Sequence, residues 1–302
     1  MQLSTHQTMQ VAAMTTGILF EGLIDYAGLF PPASLGMISA VANYDLYAQS
    51  QHRGMLGRFI VPAARLEEFD ETAAALSSTA LWELSVLIGA DEAADIARIR
   101  GFKGRNRRFV IKSVEAKVTS GEDVRRLSAI IPREMESYFE IPLAGNEQEY
   151  IDAVAQCGGR AKIRTGGETP DKIPAAENVA AFLHLCALAK VRFKATAGLH
   201  HPLRSMHHLT YQADSPTGMM HGFLNVFLAS AFIYAGMDVA VAKELLEDQS
   251  FGAFRFGPDE IFWREHRLGL AELTAARQHF SISFGSCSFT EPVDDLQLLG
   301  LL

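Results

Sequence analysis

Eight short runs rich in Val, Ile and Phe recur along the chain, each followed by a segment whose apolar residues return at helical spacing. Strands are expected near 22–26, 57–62, 83–88, 107–114, 136–142, 160–165, 190–196 and 280–285. Helices are expected over 37–49, 64–77, 91–99, 121–131, 147–157, 176–188 and 219–235, with others near 239–248 and, bearing Trp263, 263–278. Such alternation predicts parallel pairing through crossovers, and eight repeats predict closure into a (β/α)8 barrel. An open doubly wound sheet, the competing architecture, would carry GxGxxG after its first strand, and none is present.

The alternation inside the strands argues for closure. Ala161, Ile163 and Thr165 share one face of their strand, with Lys162 and Arg164 on the other. Val191, Phe193 and Ala195 oppose Arg192, Lys194 and Thr196; Phe139 and Ile141 oppose Tyr138 and Glu140; Phe280, Ile282 and Phe284 oppose Ser281 and Ser283. One apolar face toward helices and one polar face toward an axis suits a barrel with a wet upper end. An open parallel sheet would be apolar on both faces.

The 302 residues suit one barrel domain spanning 1–302. Its regularity fails at about 199–279, where some eighty residues separate the last two strands, against roughly thirty for a plain βα unit. No linker marks this insertion as a separate domain, so it reads as an elaborated loop covering a site or forming a subunit contact. Its apolar stretch from Val226 to Met237 is shorter than the roughly 20 residues a bilayer needs, which favours a buried helix over a membrane span. The same stretch makes a homo-oligomer one option.

A net charge of −8 without a basic stripe argues against nucleic acid as a partner; the one basic cluster, Lys103 to Arg108, reads as a solvated loop. Cys157, Cys186 and Cys287 form no CxxC pair, which fits a reducing compartment, and the first two read as core residues. No basic segment followed by an apolar block opens the chain, so a cytoplasmic location is expected.

Chemistry concentrates at three strand ends: Lys162-Ile-Arg-Thr-Gly-Gly167, Phe193-Lys-Ala-Thr-Ala-Gly-Leu-His-His201 and Ser283-Phe-Gly-Ser-Cys-Ser288. Inward lysines on adjacent strands should depress each other's pKa, leaving the neutral amine that Schiff-base formation with a carbonyl requires. Glu140 would relay protons or pair with Lys162. The alternative is a structural ion-pair network of Glu140, Lys162 and Lys194. Gly166, Gly167, Gly198 and Gly285 let backbone approach a ligand, Thr196, Ser286 and Ser288 offer hydroxyls, and Arg164 would clamp a carboxylate or phosphate.

Taken together, Lys162-x-x-Thr-Gly, then Phe193-Lys-x-x-x-Gly 31 residues later, then Phe284-Gly-Ser-Cys-Ser resemble the strand-end motifs of deoxyribose-phosphate aldolases and related Schiff-base aldolases. The chain as a whole is also similar to a bacterial barrel family that implies no activity. The aldolase resemblance implies that Lys162 forms the imine, that Lys194 lowers its pKa, and that Gly198, Gly285, Ser286 and Ser288 hold phosphate. Three departures stand beside it. Arg164 replaces a small polar residue, strand seven has one extra residue before its glycine, and the family's aspartate relay has no clear match, strand four offering Lys112 and Glu115.

His200, His201, His207, His208 and His221 fall within 22 residues. They suggest a metal-dependent enzyme in which His200, His201 and Glu140 hold a divalent ion, Asp25 being another oxygen donor. No HExxH or Cys/His ligand spacing supports this, so the main expectation is no cofactor, with His200 or His201 touching substrate as acid, base or donor. Asp25-Tyr-Ala-Gly-Leu-Phe-Pro-Pro32 reads as a shaped first loop carrying Asp25 to the barrel mouth, or as a rigid turn with Leu29 and Phe30 in the core. Gly252 to Gly257 reads as a lid or a packed turn. The leading expectation is thus an aldolase- or lyase-like enzyme taking a small phosphorylated or carboxylated carbonyl compound. The rivals are the metal enzyme and a non-catalytic barrel that binds a ligand or assembles.

Overall fold

A computed structural model describes residues 14–76, 80–102 and 108–302, so all but Arg108 of the basic cluster lies outside the described residues. Eight parallel strands close a barrel: β1 (Ile24–Tyr26), β2 (Leu56–Pro62), β3 (Trp82–Leu87), β4 (Phe109–Lys117), β5 (Glu136–Glu140), β6 (Arg160–Arg164), β7 (Phe193–Thr196) and β8 (Ser281–Ser286). Each pairs with its neighbour in sequence, and β8 closes on β1 with Asp25 opposite Gly285. Six helices make the first six crossovers: α1 (Met37–Ala48), α2 (Leu66–Ala74), α3 (Glu92–Gly101), α4 (Gly121–Ile130), α5 (Glu147–Cys157) and α6 (Ala176–Leu188). Their starts carry the expected chemistry: Asp91 accepts the Ala94 amide before α3, and Ser120 that of Asp123 before α4.

The alternation read from the strands is the one observed. Phe139, Ala161, Ile163, Phe193, Ala195 and Phe284 are buried on the helix side, while Lys162, Lys194, Glu140 and Ser283 point inward. The lower interior is filled by an ion-pair layer. Glu136 holds Arg58 and Arg160, each at 2.7 Å, and Arg160 donates to the Tyr138 hydroxyl at 2.8 Å.

The insertion differs from expectation in its details. A hairpin of Ser205–His208 and Thr217–Met220 follows β7, then α7 (Phe223–Tyr234), α8 (Val239–Glu247), a three-stranded antiparallel sheet (Phe254–Phe256, Glu260–Trp263, His266–Gly269) and α9 (Leu270–His279). Residues 219–220 thus end a strand rather than begin a helix. Trp263 lies on a strand, its indole stacked on His266 and its N–H donated to Asp248. The alternation of Ile261 and Trp263, both buried, with Glu260 and Phe262 is a strand pattern that a helical reading overrides.

The apolar helix α7 is a wall of the barrel itself. Every residue from Phe223 to Ile233 is buried; Phe223 stacks on Phe284 and Phe227 on Phe193. Its partners are strands and helices of its own chain, which cover Phe223 to Ile233. Among the described residues no helix is long and apolar enough to cross a membrane. The Gly252–Gly257 segment is neither a lid nor a turn throughout: a short helical turn over Phe251–Ala253 leads into the strand Phe254–Phe256, with Phe251 stacked on Phe256. A final helix, α10 (Thr290–Leu298), follows β8, and the Ser288 hydroxyl accepts the Glu291 amide at its start.

Candidate active site

The upper half of the barrel interior holds an alternating array of acids and bases. Lys194 Nζ lies 2.6 Å from Asp25 Oδ2 and 2.6 Å from Glu115 Oε1. Lys162 Nζ lies 2.8 Å from Glu115 Oε2 and 2.8 Å from Glu140 Oε2. Glu115 therefore bridges the two lysines, and Arg164 extends the chain by donating to Glu140 at 3.1 Å. Hydroxyls complete the shell: Ser283 donates to Asp25, Ser85 to Glu115 and Ser113 to Ser85. The backbone N–H of Arg58 donates to the second Asp25 oxygen at 2.7 Å.

Glu115, the carboxylate that strand four offers where the resemblance has its aspartate, faces the barrel interior. A bulge brings it inward. Leu84 pairs with Ile111, yet the next residue, Ser85, pairs with Ser113. Lys112 is the extra residue, so parity flips and Ser113, Glu115 and Lys117 take the inner face. Without that insertion Glu115 would follow Phe109 and Ile111 toward the helices.

The electrostatics correct one expectation. Burial works against a charge on Lys194, but Asp25 and Glu115 overcome it and raise its pKa above the ordinary lysine value. Carboxylates interleave with the lysines, so for Lys194 attraction outweighs the like-charge repulsion anticipated from adjacent inward lysines. Glu115, buried completely, is nonetheless held well below the usual carboxylate range by Lys162 and Lys194. Glu140 is also lowered against its burial, by Lys162 and Arg164. The face of Tyr138 supports Lys194 from below, 5.4 Å away.

Above this array opens a cavity of about 620 Å³, a size suited to a small metabolite. Glu115, Lys162 and Glu140 contribute to its wall; Lys194, 1 % exposed, and Asp25 do not. Asp25 thus sits inside the barrel, not at its mouth as anticipated, because Lys194, Ser283 and the Arg58 amide all hold it there. Ala27, Phe30, Pro31 and Pro32 shape one side, with a cis bond between the prolines, while Leu29 is buried in the core. Gly167, Thr196, Gly198, His200, Gly285 and Cys287 also line the cavity, and Lys117, Arg164 and Lys172 give it a cationic share.

The glycines divide by role. Gly167, Gly198 and Gly285 border the cavity, whereas Gly166 packs on Gly198. A Cβ on Gly198 would lie 2.8 Å from Gly166 Cα, and its φ of +75° is a left-handed conformation that L side chains rarely adopt. Ser286 and Ser288 are not on the cavity wall: Ser286 Oγ accepts the Ser288 amide, and Ser288 Oγ caps the turn into α10.

The two adjacent histidines part company. His200 is buried against Glu291, its Nδ1 donating to Oε2 at 2.7 Å, and its Nε2 lies 4.0 Å from Cys287 Sγ. His201 turns to Asp295 at 2.7 Å and stacks on His207 with ring centres 3.6 Å apart. The suggested metal set of His200, His201 and Glu140 does not assemble, since Glu140 is engaged by Lys162 and Arg164. Among the described residues no group of three or more His, Cys, Asp or Glu is arranged to hold a metal ion. His208 Nδ1 donates to the Ser215 carbonyl in the loop it closes, and His221 is buried with its Nε2 donating to the Pro174 carbonyl. Compared with known proteins, the chain matches no family model and no curated protein.

Proposed function

We propose that this barrel is a lyase of aldolase type, in which Lys162 forms an imine with a small carbonyl compound bearing a carboxylate or phosphate. The observation that carries this reading is the position of Lys162: it is 4 % exposed, borders the cavity, and has a carboxylate at 2.8 Å on either side. An amine so placed has its proton acceptors already in position. Glu140 is the acceptor on the cavity wall that is not also tied to the second lysine. After it takes the proton, the free nitrogen attacks the carbonyl carbon. Glu140 returns its proton to the carbinolamine hydroxyl, which leaves as water to give an iminium. A carboxylate then takes the proton of the substrate's β-hydroxyl, and the Cα–Cβ bond breaks with its electrons passing to the iminium. An aldehyde departs from the resulting enamine, which is protonated at Cα and hydrolysed to return the lysine.

Lys194 then acts as a positioning residue. Buried below the cavity and charged, it helps keep Glu115 ionised and, held also by Asp25, fixes the carboxylate that faces Lys162. Arg164, Lys117 and Lys172 favour an anionic substrate, and the bare backbone at Gly167, Gly198 and Gly285 allows its close approach.

The test is incubation with a panel of small aldehydes, ketones and 2-keto acids, followed by borohydride and peptide mass spectrometry. A reduced adduct on Lys162, absent from Lys162→Ala, is expected. An adduct on Lys194 alone, or no adduct while the folded protein saturates with a ligand from the same panel, would refute the assignment.

A further inference from the structure

A second reactive group faces the same cavity, and neither the lysine chemistry nor the strand-end motifs assign it a role. Cys287 follows β8 directly, is buried, and borders the cavity. Two side chains from distant parts of the chain converge on its sulfur, and Glu291, four residues beyond it, holds both. His200, from the loop after β7, sets Nε2 4.0 Å from the sulfur, and Glu291, in the first turn of α10, holds the other ring nitrogen at 2.7 Å. Tyr211, from the turn of the inserted hairpin, places its hydroxyl 3.7 Å from the sulfur and 3.1 Å from the same Glu291 oxygen.

We propose that Cys287, His200 and Glu291 form a thiol–imidazole–carboxylate relay that transfers the acyl group of a small anionic ester or thioester through a Cys287 thioester. The roles follow from the geometry. Accepting a hydrogen bond from Nδ1, Glu291 fixes the ring so that Nε2 is the nitrogen presented to sulfur. The other two cysteines lack this setting: Cys186 is fully buried on α6, and Cys157 is half-buried at the end of α5. Although burial disfavours its charge, the neighbouring Cys287 and Glu291 raise the His200 pKa to about 9. An imidazolium beside a thiol is the setting in which cysteine attacks as its thiolate.

The chemistry balances within these groups and one water. As the sulfur–carbon bond forms and the tetrahedral adduct collapses, the bond to the alcohol or thiol leaving group breaks, and His200 Nε2 delivers its proton there. A water then gives a proton back to the neutral ring and attacks the thioester carbon, releasing the acid and freeing the Cys287 sulfur beside the protonated ring. Lys117, Arg164 and Lys172 favour an acyl group that carries a negative charge. No step requires an imine on Lys162, so this inference stands apart from the lyase reading.

The full chain is mixed with p-nitrophenyl acetate at neutral pH, p-nitrophenol release is followed, and the acetyl group is mapped by peptide mass spectrometry. A burst of one equivalent with acetyl on Cys287, at least ~100-fold faster than on Cys157, is expected. His200→Gln should slow that step by about 10²-fold or more, as loss of a positioned proton carrier does. Equal labelling of Cys287 and Cys157, no burst, or an unchanged rate in a folded His200→Gln variant would overturn the proposal. Acetyl on Lys162 instead of Cys287 would also overturn it while leaving the lysine chemistry open. Because the acetyl group is mapped on the unaltered chain, the outcome does not depend on whether a Cys287→Ala variant folds.

Discussion

Replacing Glu115 by glutamine keeps its shape and removes the charge on which both buried lysines rely. Asp25, Glu115 and Glu140 offset Lys162, Lys194 and Arg164, so the cluster sums to zero, and Glu115→Gln leaves it one positive charge in excess. At the 2.6 and 2.8 Å separations, each lysine–Glu115 attraction is about 6 kcal/mol for an effective dielectric of 20. Most of that is offset by the desolvation of the carboxylate, and each lysine keeps one other partner. Removing one member of a buried pair costs about 3–5 kcal/mol, and this is the expected loss. At about 2.1 cal/mol/K of unfolding entropy per residue, the chain should melt about 5–8 °C lower at pH 7. The pH dependence supplies a second signature. The folded pKa of Glu115 lies below its unfolded value near 4.5, so its contribution is present above that pH and lost as pH falls below it. Scanning calorimetry from pH 3 to 8 should therefore show a shallower acid limb in the glutamine variant. A variant melting within 1 °C of the parent at pH 7, with an unchanged acid limb, would refute the claim that Glu115 compensates the lysines.

Gly57→Ala places a Cβ 2.3 Å from Asp25 Oδ1, so the carboxylate must leave the Arg58 amide; a loss of about 1–3 kcal/mol in urea unfolding is expected. His200 has a folded pKa near 9, above its unfolded value of 6.5, so its stabilisation is full below pH 6.5 and fades as pH rises through 9. Urea midpoints across that window should fall by an amount corresponding to up to about 3 kcal/mol, less in Glu291→Gln, and an equal slope in both would contradict the pairing. Phe227→Ala opens a hole between α7 and the barrel, where Phe227 meets Phe193 and Phe284, and should cost about 3–5 kcal/mol by calorimetry.

What could be read from residues alone was whatever repeats. Eight apolar runs and their helices announce a barrel because each strand must hide one face under a crossover and turn the other inward, and that demand leaves a period of two in the sequence. Lys162, Lys194 and Glu140 were legible for the same reason, lying between apolar neighbours on regular strands. Glu115 could be named as strand four's carboxylate but its inward position could not be read, because the bulge at Lys112 breaks the period on which the reading depends, and a single extra residue moves a carboxylate from the helix side to the centre of the site. Cys287 and Glu291 were missed for another reason. Their partners lie 87 and 91 residues away at His200, and only closure of β8 onto β7 and the start of α10 brings them together. One local signal did exist: Ser288-Phe-Thr-Glu291 has the Ser-x-x-Glu spacing of a helix start, which places Glu291 in a first turn beside the strand end. Periodicity therefore locates the scaffold and the residues that obey it, whereas irregular strand geometry and long-range closure decide which charged and nucleophilic groups share the cavity.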